Sequence, residues 1–324
     1  MSVDNPILTI IIINYNTFNL TRDCIDSISR YIENINYEII VVDNHSRDNS
    51  GRDLQEIFPA INVLALNDNY GYAYAINRGT EIARGEFILI LNSDIVWLED
   101  AVTQPIQYLR DNPDCAVLGC KLLNPDLSLQ GSIYFYPSLT REFLNALGIS
   151  PLLRRSRLIK AVLIKSMVLI GRDKLGRLGP HDKITEVQGL KGAYILTRRK
   201  VLIETGGFDE KIFLYGEETE WFIRLREAEY KIVFYPDVKV IHIGEGSNKE
   251  ITISPMFTTR YFSLKYIFNK HYTKQQVFHL MIIMVIAIIL RMITQWIRYT
   301  LFSDKFRLKY YQTYRQTLKR IFYE

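Results

Sequence analysis

Short apolar runs alternate with amphipathic segments through the first 120 residues. The runs are continuous rather than alternating, which is typical of β-strands covered on both faces. They lie at 7–13, 38–43, 61–66, 87–91 and 115–120. The segments between them have apolar residues at helical spacing and cover Leu20–Tyr31, Arg52–Phe58, Tyr72–Arg84 and Glu99–Arg110. This alternation predicts right-handed βαβ units on a mainly parallel sheet, and therefore a Rossmann-like α/β fold.

Asparagine and aspartate residues follow four of these runs directly. They form the groups Asn14-Tyr15-Asn16, Asp43-Asn44, Asn67-Asp68-Asn69 and Asn92-Ser93-Asp94. Ligands of parallel α/β sheets bind outside the carboxyl ends of the strands. The convergence of these polar groups therefore predicts a binding site at that edge of the sheet.

The composition supports a packed protein with an uneven charge distribution. Of the 324 residues, 48% are apolar and 23% are charged, which excludes a disordered chain. Residues 260–324 hold 12 Lys and Arg against Asp304 and Glu324, whereas residues 1–259 hold 28 against 33 acidic residues. We therefore expect an acidic body and a basic tail that meets an anionic surface, with no nucleic-acid partner.

The cysteines and the first residues bear on the compartment. Cys24, Cys115 and Cys120 are odd in number and have no CxxC spacing, which argues against a disulfide framework or a zinc site. Asp4 stands where a secretory signal would be basic, and the first apolar run is only seven residues long. We therefore expect a cytosolic protein.

The polar groups also limit how a nucleotide could bind. The turn after the first run, NYNTFN, contains no glycine, so a GxGxxG dinucleotide site, a Walker loop and the glycine-rich loop of nucleotidyltransferases are all missing. Asp43 could accept hydrogen bonds from a ribose or a base. Asp94 could approach a diphosphate only through a divalent cation, because like charges repel. The alternative is that Asp43 and Asp94 merely cap the helices that follow.

Seven sequence pieces, in order and spanning residues 7–247, resemble the family 2 glycosyltransferases. They are IIIINYN, EIIVVDNHSRDNS, NDNYGYAYAINRG, ILNSD, GGFDE, YGEETEWFIRLREAEYKIVFYP and VIHIGEGS. Within that family the chain is most similar to the bacterial rhamnosyltransferase-like group. The resemblance implies the A-type nucleotide-diphospho-sugar transferase fold.

The resemblance also implies roles for the donor half of the chain. Asn14, Tyr15 and Asp43 are expected to line the nucleoside pocket. The loop and helix start beside the donor are expected to be shaped by Asn69, Gly71 and Asn77.

The remaining roles implied by the resemblance concern the metal and the chemistry. Asp94 is expected to bind Mg²⁺ or Mn²⁺ and His242 to complete the metal or diphosphate site, while Asn92 is expected to contact the ribose. In EETE, Glu218 aligns with the catalytic-base aspartate of the family, and Glu217 precedes it. Crowding of Glu217, Glu218 and Glu220 is expected to raise the pKa of at least one of them. The alternatives are a solvated acidic helix start and, for His242, an ordinary buried histidine.

The function implied is inverting transfer of a sugar from a nucleotide-diphospho-sugar to a polyprenyl-diphosphate-linked saccharide in bacterial surface polysaccharide biosynthesis. The resemblance favours dTDP-rhamnose as donor and leaves UDP-hexoses and galactofuranose open. A non-catalytic nucleotide-sugar or carbohydrate-binding module and a sugar-nucleotide pyrophosphorylase are the competing functions.

We expect a catalytic domain at 1–250 and a basic amphipathic helical tail at 251–324. The domain divides into a nucleotide-sugar half, 1–125, and an acceptor and catalytic-base half, 126–250, with a basic insert at 141–187. Its segment IVFYPDVKVIHIGEGS predicts two short strands separated by a turn at Pro236-Asp237.

In the tail, the apolar segment 277–290 is 14 residues long, shorter than the roughly 20 needed to cross a bilayer. Arg291, Thr294, Gln295 and Arg298 then mark one helical face. This pattern predicts a helix lying in the membrane interface, on the inner face of the cell membrane. The alternatives are a docked core helix and a homo-oligomer contact.

Overall fold

The computed structural model describes residues 5–147, 181–244, 253–302 and 305–323. Its strands are Leu8–Asn14 (β1), Tyr37–Asp43 (β2), Asn62–Ala65 (β3), Phe87–Asn92 (β4), Ile95–Trp97 (β5), Cys115–Leu123 (β6), Ile133–Tyr134 (β7), Thr185–Glu186 (β8), Gly189–Leu190 (β9), Tyr194–Arg198 (β10) and Lys231–His242 (β11). Its helices are Phe18–Tyr31 (α1), Ser50–Ile57 (α2), Tyr72–Ile82 (α3), Thr103–Asp111 (α4), Leu139–Ala146 (α5), Arg199–Glu204 (α6), Glu217–Glu227 (α7), Ile253–His271 (α8), Lys274–Phe302 (α9) and Lys305–Tyr323 (α10).

The central sheet confirms the predicted α/β fold. Its strand order is β3-β2-β1-β4-β10-β6-β11-β5, and β8 also pairs with β11. Strands β1 to β4 pair in parallel, as the strand-helix alternation predicted. Strand β10 runs antiparallel between β4 and β6, which makes the sheet mixed.

The first strands form because both of their faces are covered. Every residue of β1 is buried, and the first five residues of β4 are buried as well. Strand β3 is different, since it lies at the edge of the sheet and Asn62 and Ala65 are exposed. A continuous apolar run therefore indicated a strand at 61–66 but not its position at the edge.

Strand β11 corrects the prediction of two short strands in the segment 232–247. The segment is one strand of 12 residues. Its register against β6 shifts between Tyr235 and Lys239, so that Pro236 and Asp237 fall within an irregularity of the strand rather than in a turn. A proline without a backbone N–H is tolerated at such a bulge, where the pairing of the strands is interrupted.

The chain divides into two compact units. The first comprises Met1–Phe135 with Gly176–Glu250 and contains the sheet. The second comprises Tyr136–Leu175 with Ile251–Glu324, and its described part contains α5, α8, α9 and α10. The core of the second unit is formed by Tyr261, Phe268, Leu280, Met284, Ile288, Tyr310, Tyr314 and Ile321.

Helix α9 is longer than the apolar segment that the sequence indicated. It has 29 residues, and Lys274–Leu301 is long and apolar enough to cross a membrane, with a mean hydropathy of 2.5 in its most apolar 18-residue window. Only 22% of the most apolar window is buried within the structure. Residues 148–180 of the basic insert predicted at 141–187 lie outside the described residues.

Candidate active site

Three neighbouring strands bring polar residues to one edge of the sheet. Strand β1 lies between β2 and β4, and its register pairs Asn14 with Asp43 and Ile13 with Asn92. The parallel strands end together, because their apolar runs have similar lengths and start in register. Asp43 and Asn92 therefore emerge on either side of Asn14.

Asn14 is fully buried and its side-chain amide is engaged within the protein. Its Nδ2 donates to Asp43 Oδ1 at 2.8 Å, Ser50 Oγ at 2.6 Å and Ser46 Oγ at 3.0 Å. Its Oδ1 accepts from Thr17 Oγ1 at 2.9 Å and from Thr21 Oγ1 at 2.8 Å. The buried amide of Asn14 thus fixes the orientation of the Asp43 carboxylate.

Asp43 is 8% exposed and lies against the start of α2. A Cβ added to Gly51 would lie 2.9 Å from Asp43 Cγ, so the carboxylate uses the space that this glycine leaves. The positive end of the helix dipole favours a negative charge at this place. Tyr15, on the turn after β1, is half-buried.

The loop before α3 requires a glycine. Asn69 Oδ1 accepts from Asn44 Nδ2 at 3.0 Å and from the Gly71 N–H at 3.1 Å. Gly71 has φ +95°, and a Cβ there would lie 2.4 Å from the Phe213 carbonyl oxygen. The Tyr72 N–H donates to that same oxygen at 2.8 Å. The loop is therefore held against residue 213 by a close backbone approach.

Asn77, six residues after Gly71, also connects α3 with the segment that precedes α7. Its Nδ2 donates to the Phe208 carbonyl oxygen at 2.8 Å, and its Oδ1 accepts from the Phe208 N–H at 3.0 Å. Gly207 has φ +63°, and a Cβ there would lie 2.7 Å from Asn77 Oδ1. Asn77 therefore fixes the GGFDE segment against α3.

Asp94 and His242 meet because β5 and β11 pair antiparallel, with Ile95 opposite His242. His242 Nε2 lies 3.4 Å from Asp94 Oδ1, and the two side chains are only 12% and 10% exposed. The Gly244 N–H donates to Asp94 Oδ2 at 3.0 Å. Burial by itself raises the pKa of Asp94, but the hydrogen bond and charge of His242 and the Gly244 N–H outweigh it and lower the pKa.

The three glutamates at the start of α7 have different surroundings. Glu217 is 5% exposed, and burial, followed by the charge of Glu218, raises its pKa well above 4.5. This confirms the expected raised pKa, with burial as the larger cause. Glu218 lies beside Gly192, where an added Cβ would be 3.7 Å from Glu218 Cδ. Glu220 is fully buried and is paired with Arg224.

Tyr72 connects the glutamates with the end of β4, and the sequence patterns did not single it out. Its hydroxyl donates to Asn92 Oδ1 at 2.8 Å and lies 3.5 Å from the Gly192 carbonyl oxygen. Burial raises its pKa well above 10.0, as do the nearby charges of Glu217, Glu218 and Asp94. The sequence signal that could have found it is a tyrosine at the start of a predicted helix, directly after the glycine Gly71.

The fold of the site suggests a divalent cation, and two residues fit one. Within the described residues, no group of three or more His, Cys, Asp and Glu could hold a metal ion. Asp94 and His242 supply one oxygen and one nitrogen ligand, and Gln130 Oε1 lies 2.6 Å from His242 Nδ1, leaving Nε2 directed at Asp94. Cations that also bind phosphates use few protein ligands and complete their shell with substrate oxygens and water. The pair suits a cation of that kind.

Comparisons with known proteins agree on a family. The model "Glycosyl transferase family 2" matches residues 9–183. The chain is 26% identical over 216 residues to an N-acetylglucosaminyl-diphospho-decaprenol L-rhamnosyltransferase of Mycobacterium tuberculosis, covering 63% of this chain and 66% of that protein. It is 24% identical over 238 residues to the rhamnosyltransferase WbbL of Escherichia coli, covering 69% and 81%. In this relative of M. tuberculosis and in two further curated relatives, the match covers 66% or less of the relative's own length.

Solved structures share the fold. A mannosyltransferase from Pyrobaculum calidifontis in complex with GDP-Man and Mn²⁺ superposes with a TM-score of 0.54 at 17% identity, covering 99% of this chain and 85% of that one. A structure of GalNAc-T7 with UDP, GalNAc and Mn²⁺ superposes with a TM-score of 0.56 at 12% identity, covering 82% of this chain and 50% of that one.

Proposed function

The chain belongs to glycosyl transferase family 2, and we propose that it is an inverting, metal-dependent enzyme transferring a sugar from a nucleotide-diphospho-sugar to a lipid-linked saccharide. One observation carries the proposal. The charges of Asp94, Glu217 and Glu218 all act on the buried hydroxyl of Tyr72 near the strand ends, and Asp94 is paired with His242. A cation-binding pair beside a buried carboxylate cluster is what displacement of a diphosphate by a hydroxyl requires.

Glu218 is the general base in this proposal. It takes the proton from the acceptor hydroxyl as that oxygen bonds to the anomeric carbon, while the bond from that carbon to the diphosphate oxygen breaks and the nucleoside diphosphate leaves. Glu217 has a raised pKa because of its burial and because of Glu218. The raised pKa favours the protonated form of Glu217, and in this proposal Glu218 is the ionised partner that takes the proton.

Asp94 and His242 would hold the divalent cation, Mg²⁺ or Mn²⁺. When bound, the cation supplies neutralisation of the negative charge that develops on the departing diphosphate. The Gly244 N–H holds one oxygen of Asp94 and so directs the other towards His242. Two solved structures with this fold contain Mn²⁺, one together with UDP and GalNAc and the other with GDP-Man, which supports the assignment.

The nucleoside would bind along β1 and β2. Asp43 would accept hydrogen bonds from the ribose or the base, and Tyr15, on the turn after β1, would line the same pocket. Asn92 is the last residue of β4 and its Oδ1 accepts from the Tyr72 hydroxyl; its side chain would contact the ribose. The two rhamnosyltransferases among the relatives favour dTDP-rhamnose as the donor.

The acceptor would be a polyprenyl-diphosphate-linked saccharide, with residues 1–250 as the catalytic domain and 251–324 as a membrane-associating tail. One relative is named for a decaprenol-linked substrate. Helix α9 presents a continuous face of apolar side chains that are 39–70% exposed. They are Phe278, Ile282, Ile286, Ile289, Leu290, Ile293, Trp296, Ile297 and Leu301. Such a face with basic residues nearby suits the inner leaflet of a bacterial membrane.

Replacement of the base tests the reaction. Glu218→Gln should lower the rate of transfer from radiolabelled nucleotide-sugar by roughly 10²–10⁴ while donor affinity and melting temperature stay close to wild type. If Glu217→Gln is inactive and Glu218→Gln retains activity, the base is Glu217. A wild-type protein that binds the donor but forms no product would favour a binding module, and formation of nucleotide-sugar from sugar phosphate and nucleoside triphosphate would favour a pyrophosphorylase.

The metal role has a separate test. Asp94→Asn should abolish transfer and weaken Mn²⁺-dependent donor binding. The melting temperature measured without donor should stay close to that of wild type. Full activity in the presence of EDTA would contradict the role of the cation.

A further inference from the structure

Gln130 contacts His242 from the side opposite Asp94. It follows β6, and its backbone N–H donates to the Leu122 carbonyl oxygen at 2.9 Å. Its Oε1 lies 2.6 Å from His242 Nδ1, and its Nε2 donates to the His242 carbonyl oxygen at 3.0 Å. One amide thus binds both the ring and the backbone of a histidine 112 residues away.

The orientation of this amide is determined by its other two neighbours. Lys191 Nζ donates to Gln130 Oε1 at 2.9 Å, and Gln130 Nε2 donates to Asn124 Oδ1 at 3.0 Å. A lysine ammonium has three donors and no acceptor, so the amide oxygen must face it. A flipped amide would set Nε2 against the ammonium and its oxygen against two acceptors.

The tautomer of His242 follows from that orientation. Because Gln130 presents an oxygen to the ring, Nδ1 must carry the proton of that hydrogen bond. In the neutral ring the lone pair is then on Nε2, the atom that lies 3.4 Å from Asp94 Oδ1. Without a cation, Nε2 can take a second proton and donate it to Asp94, which is the charged form that lowers the pKa of Asp94; a cation between the two would take the place of that proton. Outer partners of this kind are known to orient ligating histidines and to set their tautomer.

We propose that Gln130, held in orientation by Lys191, is a positioning residue that fixes His242 in the Nδ1-protonated tautomer and presents Nε2 to a cation shared with Asp94. The cation part of this inference rests on the proposed function. The tautomer part does not, because it follows from the contacts of Gln130 alone. Gln130 lies in the first unit of the chain, outside the seven pieces that resembled the family.

Two measurements on the full-length protein test the proposal. The first is the ¹⁵N chemical shifts of the His242 imidazole, recorded by NMR without metal at alkaline pH, which distinguish the two neutral tautomers. The second is Mn²⁺ affinity, measured by electron paramagnetic resonance. Gln130→Met removes the acceptor at similar volume, Gln130→Glu keeps an acceptor, and Lys191→Met removes the lock on the amide.

Gln130→Met should give a mixture of tautomers and a 10–100-fold loss of Mn²⁺ affinity. Gln130→Glu should retain the Nδ1-protonated form and bind Mn²⁺ within a few-fold of wild type. Lys191→Met should show a smaller loss than Gln130→Met, because the amide can then flip. Unchanged tautomer and affinity in a folded Gln130→Met protein would overturn the proposal, and so would a wild-type ring protonated on Nε2 alone.

The two parts fail in different ways. If wild type binds no Mn²⁺, the metal role in the proposed function fails while the NMR comparison still decides the tautomer. If Gln130→Met does not fold, the shifts of wild type and Lys191→Met decide it. An Nδ1-protonated ring in wild type that becomes mixed in Lys191→Met supports the proposal, and an identical ring in both overturns the role of the lysine.

Discussion

The ion pair between Glu220 and Arg224 offers a sharp test of which glutamate of α7 stabilises the fold. Glu220 is fully buried, and Arg224 is 20% exposed. Arg224 Nε donates to the two carboxylate oxygens at 2.9 and 3.0 Å, and Nη2 donates to Oε2 at 2.8 Å. Arg224 also donates to the carbonyl oxygens of Thr205 and Gly207 at the GG turn. The pair therefore ties α7 to the turn that precedes GFDE.

Glu220→Leu removes the carboxylate at similar volume and leaves the guanidinium without its counter-charge. Breaking a buried pair from one side costs roughly 3–5 kcal/mol of unfolding free energy. Arg224 keeps two backbone acceptors and some exposure, so we expect the lower limit, about 3 kcal/mol. For a chain of 324 residues, that corresponds to a fall in melting temperature of roughly 4–5 °C.

The exposed pair Lys200–Glu204 is a matched control, because it has the same i,i+4 spacing with side chains 79% and 49% exposed. Glu204→Leu should cost less than about 1 kcal/mol, since exposed ion pairs contribute little. Unfolding can be followed by the fluorescence of Trp221, which is fully buried on the same helix. Equal melting temperatures for Glu220→Leu and Glu204→Leu would refute the reasoning.

Three further predictions concern the loop, the acidic pair and the tail. Gly71→Ala should weaken donor binding and lower the melting temperature, because φ is +95° and the new Cβ would lie 2.4 Å from the Phe213 carbonyl oxygen. Donor affinity can be measured by calorimetry, and an affinity equal to that of wild type would contradict this prediction. Burial raises the pKa of Glu217 above its unfolded value, so the stability that it contributes is complete below about pH 4.5 and is lost as the pH rises through the folded pKa. Glu217→Gln should therefore melt above wild type at alkaline pH, with a difference that shrinks towards pH 4.5, and a pH-independent difference would refute the assignment. Replacing three exposed isoleucines of α9 with glutamine should reduce co-sedimentation with anionic vesicles, whereas the same replacement at three exposed isoleucines of the first unit should not. Equal sedimentation of the two variants would show that α9 does not contact the membrane. The α9 set is Ile282, Ile286 and Ile293, and the control set is Ile57, Ile184 and Ile203.

The beginning of the fold could be predicted from the sequence because its signals are local. The isoleucines of β1 and the apolar run of β4 are buried on both faces, and side-chain period and run length are sufficient to indicate such strands. The helix predicted at Leu20–Tyr31 is observed at Phe18–Tyr31, whereas the one predicted from Glu99 begins at Thr103. The asparagines and aspartates after the strands indicated the binding edge for the same reason, since their position in a parallel sheet follows from the alternation alone.

The partners of those residues were decided by tertiary structure. Asp94 meets His242 only because β5 pairs with β11, and Gln130 meets His242 across 112 residues. The sequence suggested that Glu217, Glu218 and Glu220 form one cluster whose charges repel one another. In the fold, Glu220 is paired with Arg224, whereas Glu217 and Glu218 act on Tyr72, whose pKa is raised by burial and by their charges and that of Asp94.

The physical reason is that pairing between distant strands depends on sheet order, which no local pattern encodes. Strand β10 has an ordinary apolar sequence, yet it enters the sheet antiparallel between β4 and β6. Pro236 and Asp237 have the composition of a turn, but the pairing of β11 with β6 makes the segment one strand. Local propensity determined where this chain is extended or helical, and competition among long-range contacts determined which side chains share the site.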